Sequence, residues 1–497
     1  MASIETTSLL EEKTTGVPAP TDAAKQDEWR PSAIAADIAT LGTGTLLAGL
    51  FNAALVFVVP KLTSVEDYGY WRLFGLYAGY VGFLHFGFAD GALLRWAGRP
   101  FEEFRHELGP AVKYLLLQQM LLLVPACAIA WLTLSGPMRF VGISVAVYAL
   151  VYNMTATLQY GLQAAKIFRP VAVSSAAAPA LFLVFVLLWH AKWQSNFKEV
   201  TGFYVVGWLV MMVFLLARTK PWIAKSNENR TAGLVRDCLR SGWPIVMANT
   251  GVLMIAYADR LVVSWSARIQ DFAQYSLAGS AMAVPVMTIQ ACSKVFFSHL
   301  AGVSAEGQKR IYGMSSRMLL IAWAALLPYY FALEVFIRHF LPRYVPSLQY
   351  ARILLLGIPF LAAIQILQMS YAYLNGMQKR FLVRTATMLA VSIGVTSFAA
   401  FRTDSLRVVA VTQVVILGAW WFFNEWTLRG WTHQSVGAWT RFGTPYLLVS
   451  GGYWLTTGQE TNIGGAIGMY YLIVALIVSL SCRNECKVLL TELVGKS

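Results

Sequence analysis

Long apolar segments separated by short loops are the feature that most limits what this chain can fold into. About fourteen such segments follow one another after a polar first stretch, and each is near the ~20 residues that a helix needs to cross a bilayer. Lipid offers exposed backbone no hydrogen-bond partner, so only helices and closed barrels can span it, and continuous apolar runs favour helices over barrels. We therefore expect an all-α polytopic membrane protein.

Composition agrees with that expectation. Hydrophobic residues make up 57% of the chain and charged residues only 13%, whereas soluble domains average roughly 25% charged residues. The sixth segment and the last four are short or weakly bounded, so a count of about twelve spans stays open beside about fourteen. The predicted spans lie near 33–59, 71–94, 113–134, 139–163, 171–190, 202–217, 243–264, 274–300, 316–338, 350–375, 382–401, 406–428, 439–456 and 463–481.

Lysine and arginine residues concentrate in alternate loops. When the N-terminus is placed inside the cell, about two-thirds of the 39 Lys and Arg residues fall on the inner side, as the positive-inside rule requires. This predicts cytoplasmic N- and C-termini, an even number of spans and a place in the inner (cytoplasmic) membrane. The net charge of +14 is then mainly a topology signal, and we expect no nucleic-acid partner.

An internal repeat divides the chain. The stretch 64–75, SVEDYGYWRLFG, aligns with 268–279, RIQDFAQYSLAG, so that Asp67 matches Asp271 and Gly75 matches Gly279. Each stretch joins the first and second spans of a half, which indicates two parallel halves of six spans each. We predict a disordered cytoplasmic tail at 1–32, bundles at 33–217 and 243–428 joined by a basic cytoplasmic linker at 218–242, and accessory helices 13–14 with a tail at 429–497.

Charged side chains inside apolar segments are the candidate site residues. A charge deep in a bilayer segment is costly and usually faces a partner or a water-filled cavity. The segment 241–264 carries Asp259 and Arg260 side by side, with Asn249 about three turns before Arg260 on the same face. Asp259 either binds a coupling cation, orients a neighbouring cation, or forms an ion pair that only holds helices together.

Two further segments carry such residues. Arg72 and Asp90 are about five helical turns apart, so a straight helix would place both on one face. Gln290, Lys294 and Ser298 follow at i, i+4 and i+8 on the eighth segment. The alternatives are that Arg72 and Asp90 anchor helix ends at the interfaces and that Lys294 snorkels to the inner interface.

The chain lacks the sequence motifs of several enzyme, cofactor and metal sites. The chain has no GxxxxGK[ST] loop for ATP and no HExxH, and its five cysteines do not complete a zinc site. The short loops also offer no Ser/His/Asp arrangement. We expect no enzymatic activity, no cofactor and no metal, and transport driven by a gradient or by substrate supply.

Several blocks of sequence, taken together, resemble a known family. In chain order they read LTSVEDYGYWRLF, FLHFGFADGALLRWAG, SGWPIVMANTGVLMIAYADRLVV, DFAQYSLAGSAMA, LPRYVPSLQYARILLLGIPF and AYLNGMQKRF. Over about residues 33–428 the chain is similar to the polysaccharide flippases, which include O-antigen unit transporters, within the multidrug/oligosaccharidyl-lipid/polysaccharide exporter superfamily.

This resemblance implies two six-helix bundles that face each other around a central cavity. It also implies alternating access that moves an undecaprenyl-pyrophosphate-linked oligosaccharide from the inner to the outer leaflet, for surface polysaccharide synthesis. It implies that Arg260, Lys294 and Arg72 bind phosphate or acidic sugar in a cationic lumen. Gln290 and Asn249 are the further lumen candidates, and Asp259 and Asp90 would serve charge pairing or ion coupling. The implied partners are the lipid-linked oligosaccharide, membrane lipids, and a polymerase and glycosyltransferases of the same pathway. Helices beyond the twelfth would form a groove for the lipid tail.

Two other functions are alternatives to a lipid-linked oligosaccharide flippase. A cation-coupled small-molecule exporter of the multidrug type would favour an acidic, apolar cavity, whereas the candidates here are mostly cations. A membrane glycan polymerase or ligase would need a sizeable outer loop, and every loop here is short.

Overall fold

The computed structural model describes residues 31–224, 231–282, 305–432, 437–457 and 463–481, together with six separate positions between 285 and 300. Apart from its last two positions, the tail predicted at 1–32 lies outside the described residues, as does 482–497. The part that is described is helical, with no strand. The helices are α1 (Pro31–Leu62), α2 (Val65–Ala78), α3 (Phe88–Trp96), α4 (Phe101–Phe104), α5 (Leu108–Thr133), α6 (Gly136–Ala164), α7 (Phe168–His190), α8 (Phe197–Ala224), α9 (Thr231–Ala256), α10 (Ala258–Ser266), α11 (Ile269–Ala281), α12 (Ala305–Leu326), α13 (Tyr329–Phe340), α14 (Leu348–Leu354), α15 (Ile358–Ala362), α16 (Met369–Leu374), α17 (Gln378–Thr403), α18 (Leu406–Thr432), α19 (Gly437–Thr456) and α20 (Ile463–Ser481).

The helices confirm the expectation of an all-α polytopic membrane protein. Within the described residues, nine helical stretches are long and apolar enough to cross a bilayer, and α9 with α10 would make ten if counted as one span. The predicted total of about fourteen spans therefore stays a prediction. The stretch predicted as a linker, 218–242, is helical at 218–224 and 231–242, because α8 and α9 extend into it from both sides.

The second predicted span is not one straight helix. After α2 the chain forms a 3₁₀ turn at Val81–His85, and Phe86 and Gly87 then take positive φ values of 51° and 81° before α3 begins. The side-chain amide of buried Asn153 donates to the Val81 carbonyl (3.1 Å), and that of Gln119 donates to the Leu84 carbonyl (3.0 Å). A break at membrane depth persists only where such partners satisfy the freed backbone groups.

The seventh predicted span is also interrupted. Helices α9 and α10 meet at Tyr257 with a bend of 58°. Close to this bend, the amide of buried Gln413 on α18 donates to the Ile255 carbonyl (2.8 Å). The two bends are thus stabilised in the same way, by an amide side chain from a distant helix.

The span that contains α2 and α3 packs against the second predicted half at two levels. At one level, named here the Glu66 end, Gln270 of α11 donates to Glu66 of α2 (3.3 Å), and Gly69 lies against the backbone of Ile269. At the other level, the Arg95 end, α3 packs on α9, and Arg95 pairs with Asp237 (2.9 Å). The helices part between these two closures.

Candidate functional site

A cavity of about 470 Å³ lies between the Glu66 end and the Arg95 end, a volume within the range of ligand sites. Its walls come from α1, α2, α6 and α8 on one side and from α9, α10 and α11 on the other. Arg72 and Arg260 both line it, and we call it the arginine cavity. It therefore joins elements that come from both predicted halves.

Arg260 reaches the cavity from the first turn of α10. Its Nη2 donates to the Gly279 carbonyl (2.7 Å), and its guanidinium lies over the Tyr257 ring, 4.4 Å from the centroid. Its Nε is buried and has no hydrogen-bond partner within the described part of the chain. The guanidinium is therefore positioned from two sides and keeps donor capacity for a ligand.

Arg72 reaches the cavity from the middle of α2. Its Nε is buried and, among the described residues, without a hydrogen-bond partner. No aspartate or glutamate of the described chain lines the cavity beside the two arginines. Uncompensated cations in a low-dielectric site are costly and attract an anion strongly, so the arrangement suits a negatively charged ligand.

Aromatic rings form much of the remaining wall. Trp71 packs against Tyr204 with ring centroids 5.3 Å apart, and Tyr152 packs against Trp208 at 5.7 Å. Such rings offer broad apolar faces with polar edges. The other aromatic residues at the cavity are Tyr68, Phe74, Tyr80, Tyr148 and Tyr257.

Asp259 faces away from the cavity. Its Oδ2 accepts a hydrogen bond from the Tyr275 hydroxyl of α11 (2.7 Å), and its Oδ1 is buried without a partner in the described structure. The Asp259–Arg260 ion pair considered at the sequence level is not formed between these two described residues. The adjacent charges diverge because one turns toward α11 and the other toward the cavity.

Asp90 and Asn249 also lie outside the cavity. Arg72 and Asp90 were predicted to lie on one face of a single helix. They do not, because the break at 79–87 places them on two different helices. Asp90 instead lies 3.5 Å from Nε2 of His85, on the far side of that break. Asn249 is exposed on α9, and the 58° bend at Tyr257 removes the face it was predicted to share with Arg260.

The remaining candidates, Gln290, Lys294 and Ser298, lie outside the described residues. Their part in the cavity stays a prediction. Among the residues that are described, no group of three or more His, Cys, Asp or Glu side chains could hold a metal ion.

Sequence reasoning missed the aromatic wall. Its residues come from α2, α6, α8 and the α9–α10 bend. The pairs Tyr148/Tyr152 and Tyr204/Trp208 are each four residues apart, so the sequence carried a signal that each pair lies on one helix face. That spacing does not show that the two faces meet in one cavity.

Comparison with known proteins identifies the fold. No protein-family model and no curated protein matches the sequence. The structure is similar to the lipid II flippase MurJ in an inward closed conformation, with a TM-score of 0.68 at 12% identity, over 89% of this chain and 99% of that one. It is also similar to a multidrug resistance MATE family transporter of the MOP superfamily, inward-facing (TM-score 0.53, 14% identity, 80% of this chain and 96% of that one) and outward-facing (0.51, 12%, 81% and 96%).

The chain therefore has a fold similar to those of the flippase MurJ and the MATE transporter. Identities this low show the fold alone, and the structures compared include both a lipid flippase and a multidrug transporter. What this chain binds has to be argued from the arginine cavity.

Proposed function

We propose that this protein flips undecaprenyl-pyrophosphate-linked oligosaccharide repeat units from the inner to the outer leaflet of the cytoplasmic membrane by alternating access. The observation that carries the proposal is the arginine cavity, in which Arg72 and Arg260 share one aromatic-walled space with no described carboxylate on its lining.

The chemistry of the lining matches both parts of such a headgroup. A guanidinium offers planar paired donors that suit phosphate oxygens, and its attraction to phosphate is stronger in a low-dielectric site than in water. The aromatic faces and hydroxyl edges of Tyr152, Tyr204 and Trp208 suit sugar rings, which have apolar faces and polar rims. One cavity thus has groups for the pyrophosphate and for the first sugars.

The main alternative is a cation-coupled small-molecule exporter of the multidrug type, by analogy with the multidrug transporter of similar fold. Coupling to a cation would favour an acidic, apolar cavity, and the described lining has two arginines instead. The charge of the cavity therefore favours the lipid-linked, anionic cargo.

The closures at the Glu66 and Arg95 ends provide the two gates that the proposed cycle needs. In the proposed orientation, with both termini in the cytoplasm, the Arg95 end faces inward and the Glu66 end outward. Glycosyltransferases that build the unit on the inner leaflet and a polymerase that uses it on the outer leaflet are the proposed pathway partners.

The first test is genetic. Deleting the gene should cause lipid-linked units to accumulate on the inner leaflet and surface polysaccharide to be lost. Arg260→Ala should fail to restore that polysaccharide at normal membrane levels, because loss of a charged hydrogen bond of about 1.5–3 kcal/mol weakens binding by about ten- to a hundredfold. Arg268→Ala is the matched control, since Arg268 is exposed and pairs with Asp271 outside the cavity (3.0 Å).

Unchanged surface polysaccharide after deletion, under conditions in which the gene is expressed, would contradict the proposed function. Full complementation by Arg260→Ala would instead remove Arg260 from headgroup binding and leave the genetic result standing.

A further inference from the structure

A second, larger cavity of about 760 Å³ adjoins the arginine cavity. It lies between the α2 region and α6 on one side and α9, α10 and α17 on the other, and its lining is almost wholly apolar. We call it the apolar groove. Representative lining residues are Leu84, Val141, Met247, Met254 and Leu389.

A thin wall of two helices separates the cavity from the groove. On α2, Arg72 lines the arginine cavity and the next residue, Leu73, lines the groove. On α10 the same order recurs, with Arg260 on the cavity side and Leu261 on the groove side. Tyr80 lines both spaces, so the cavity and the groove lie on either side of that one side chain.

The groove also reaches the outer surface of the helix bundle. Leu134 and Met138 line it and are 36% and 39% exposed, and Ala386 on the opposite wall is exposed as well. In a membrane protein such a surface faces lipid. Met138, Met247 and Met254 give the groove flexible, polarisable walls that adapt to an irregular apolar chain.

We infer that the apolar groove binds the hydrocarbon chain of the same anionic lipid whose headgroup occupies the arginine cavity, with the chain passing the wall at Tyr80. This inference rests on the proposed function. It assigns the chain to the side of the molecule formed by α2, α6, α9 and α17, whereas the sequence resemblance implied the helices beyond the twelfth. On each wall helix an arginine faces the cavity and the leucine next to it faces the groove. This arrangement fits a ligand with a charged part on one side of the wall and an apolar part on the other.

The test compares three probes on the purified full-length protein: inorganic pyrophosphate, farnesyl pyrophosphate and farnesol. Burial of only two or three methylene groups strengthens binding about tenfold, so farnesyl pyrophosphate should bind at least that much more tightly than inorganic pyrophosphate. Ala386→Trp, which places a ring in the groove, should abolish most of this gain and leave inorganic pyrophosphate binding unchanged. Val383→Trp is the matched control on the same helix, because Val383 is exposed and lies outside the groove.

Loss of inorganic pyrophosphate binding in Ala386→Trp would show that this variant does not fold. In that case Thr250→Phe, which narrows the groove from the opposite wall, is the variant to test. Retention of the full gain in the folded groove variants would overturn the inference alone. Farnesol binding as tight as farnesyl pyrophosphate would overturn it too, since the groove would then be a general lipid site. Failure of the parent protein to bind either pyrophosphate would contradict the proposed function, and the inference with it.

Discussion

Single residues decide where the cavity's charge lies. Arg260 is held over Tyr257 and against the carbonyl of Gly279, so its position depends on the absence of a side chain at residue 279. Asp259 contributes indirectly: by accepting from Tyr275 it links α10 to α11, the helix that carries Gly279. The neighbouring acid and base therefore have separate tasks.

Gly279→Ala should weaken pyrophosphate binding by about ten- to a hundredfold while the protein stays folded. A β-carbon at residue 279 would lie 2.5 Å from Cζ of Arg260, and the mobile end of that side chain can move away at small cost. The displaced Arg260 guanidinium would no longer donate its charged hydrogen bond to the pyrophosphate, and such a bond contributes about 1.5–3 kcal/mol. Binding of inorganic pyrophosphate to the purified protein, together with its melting temperature, checks both parts.

Gly75→Ala is the matched control, because Gly75 aligns with Gly279 in the sequence repeat. A β-carbon there would meet only Nη1 of Arg72, at 4.0 Å, which is ordinary contact. Equal loss of binding in both variants would show that the position of Arg260 is not the cause.

At the scale of elements, the breaks in two spans shape the site. The break after α2 and the bend between α9 and α10 turn the flanking residues to new faces, and each has a freed carbonyl that an amide side chain satisfies. In lipid such a carbonyl has no water to bond, so the amides are a condition for the breaks.

Asn153→Leu should therefore destabilise the protein markedly. Asn153 Nδ2 donates to the Val81 carbonyl (3.1 Å) and to Oε1 of Gln119 (3.0 Å), and leaving a buried acceptor unsatisfied costs about 1–3 kcal/mol. Thermal unfolding in detergent measures the effect as a lower melting temperature.

Thr155→Val on the same helix is the control. Its hydroxyl is equally buried but bonds only to the Val151 carbonyl of its own helix (2.7 Å), so its loss should change the melting temperature much less. Similar losses in both variants would mean that the 3₁₀ turn does not depend on Asn153.

At the scale of the whole molecule, the two closures decide access to the cavity. The polar contact at the Arg95 end is weak, because the Arg95–Asp237 pair is partly exposed and such pairs contribute about 0–1 kcal/mol. The helix packing at both ends is close, with Gly91 against the backbone of α9 and Gly69 against the backbone of Ile269. The proposed alternating access therefore requires these packed helix faces to separate as well.

Cross-linking either closure should block transport reversibly. Glu66→Cys with Gln270→Cys would join α2 to α11, and Arg95→Cys with Asp237→Cys would join α3 to α9, in a background without the five native cysteines. Each pair, oxidised directly or joined through a reducible bifunctional thiol reagent, should stop flipping of a labelled lipid-linked substrate in proteoliposomes, and a reductant should restore it.

The single-cysteine variants are the controls and should transport with or without oxidant. Undiminished transport by a fully cross-linked pair would contradict alternating access through that end.

The sequence alone supported the membrane class, the helical fold, the repeat and two of the cavity residues. Apolar length and in-span charge are local properties, so Arg72 and Arg260 could be named without a structure. The predicted repeat makes α2 and α11 counterparts, and the duplication stays a prediction. The structure shows that these two helices pack on each other at the Glu66 end.

Which charges meet was decided only by the tertiary structure. Assigning residues to one face by helical periodicity assumes that the helix is straight. The break at 79–87 and the bend at Tyr257 remove that condition, so Asp90 and Asn249 do not share a face with Arg72 and Arg260. The breaks depend on amides from distant helices, and the aromatic wall joins residues from four separate elements. Such long-range contacts leave no periodic mark on the sequence, which is why the chain's class could be predicted from its residues and its cavity could not.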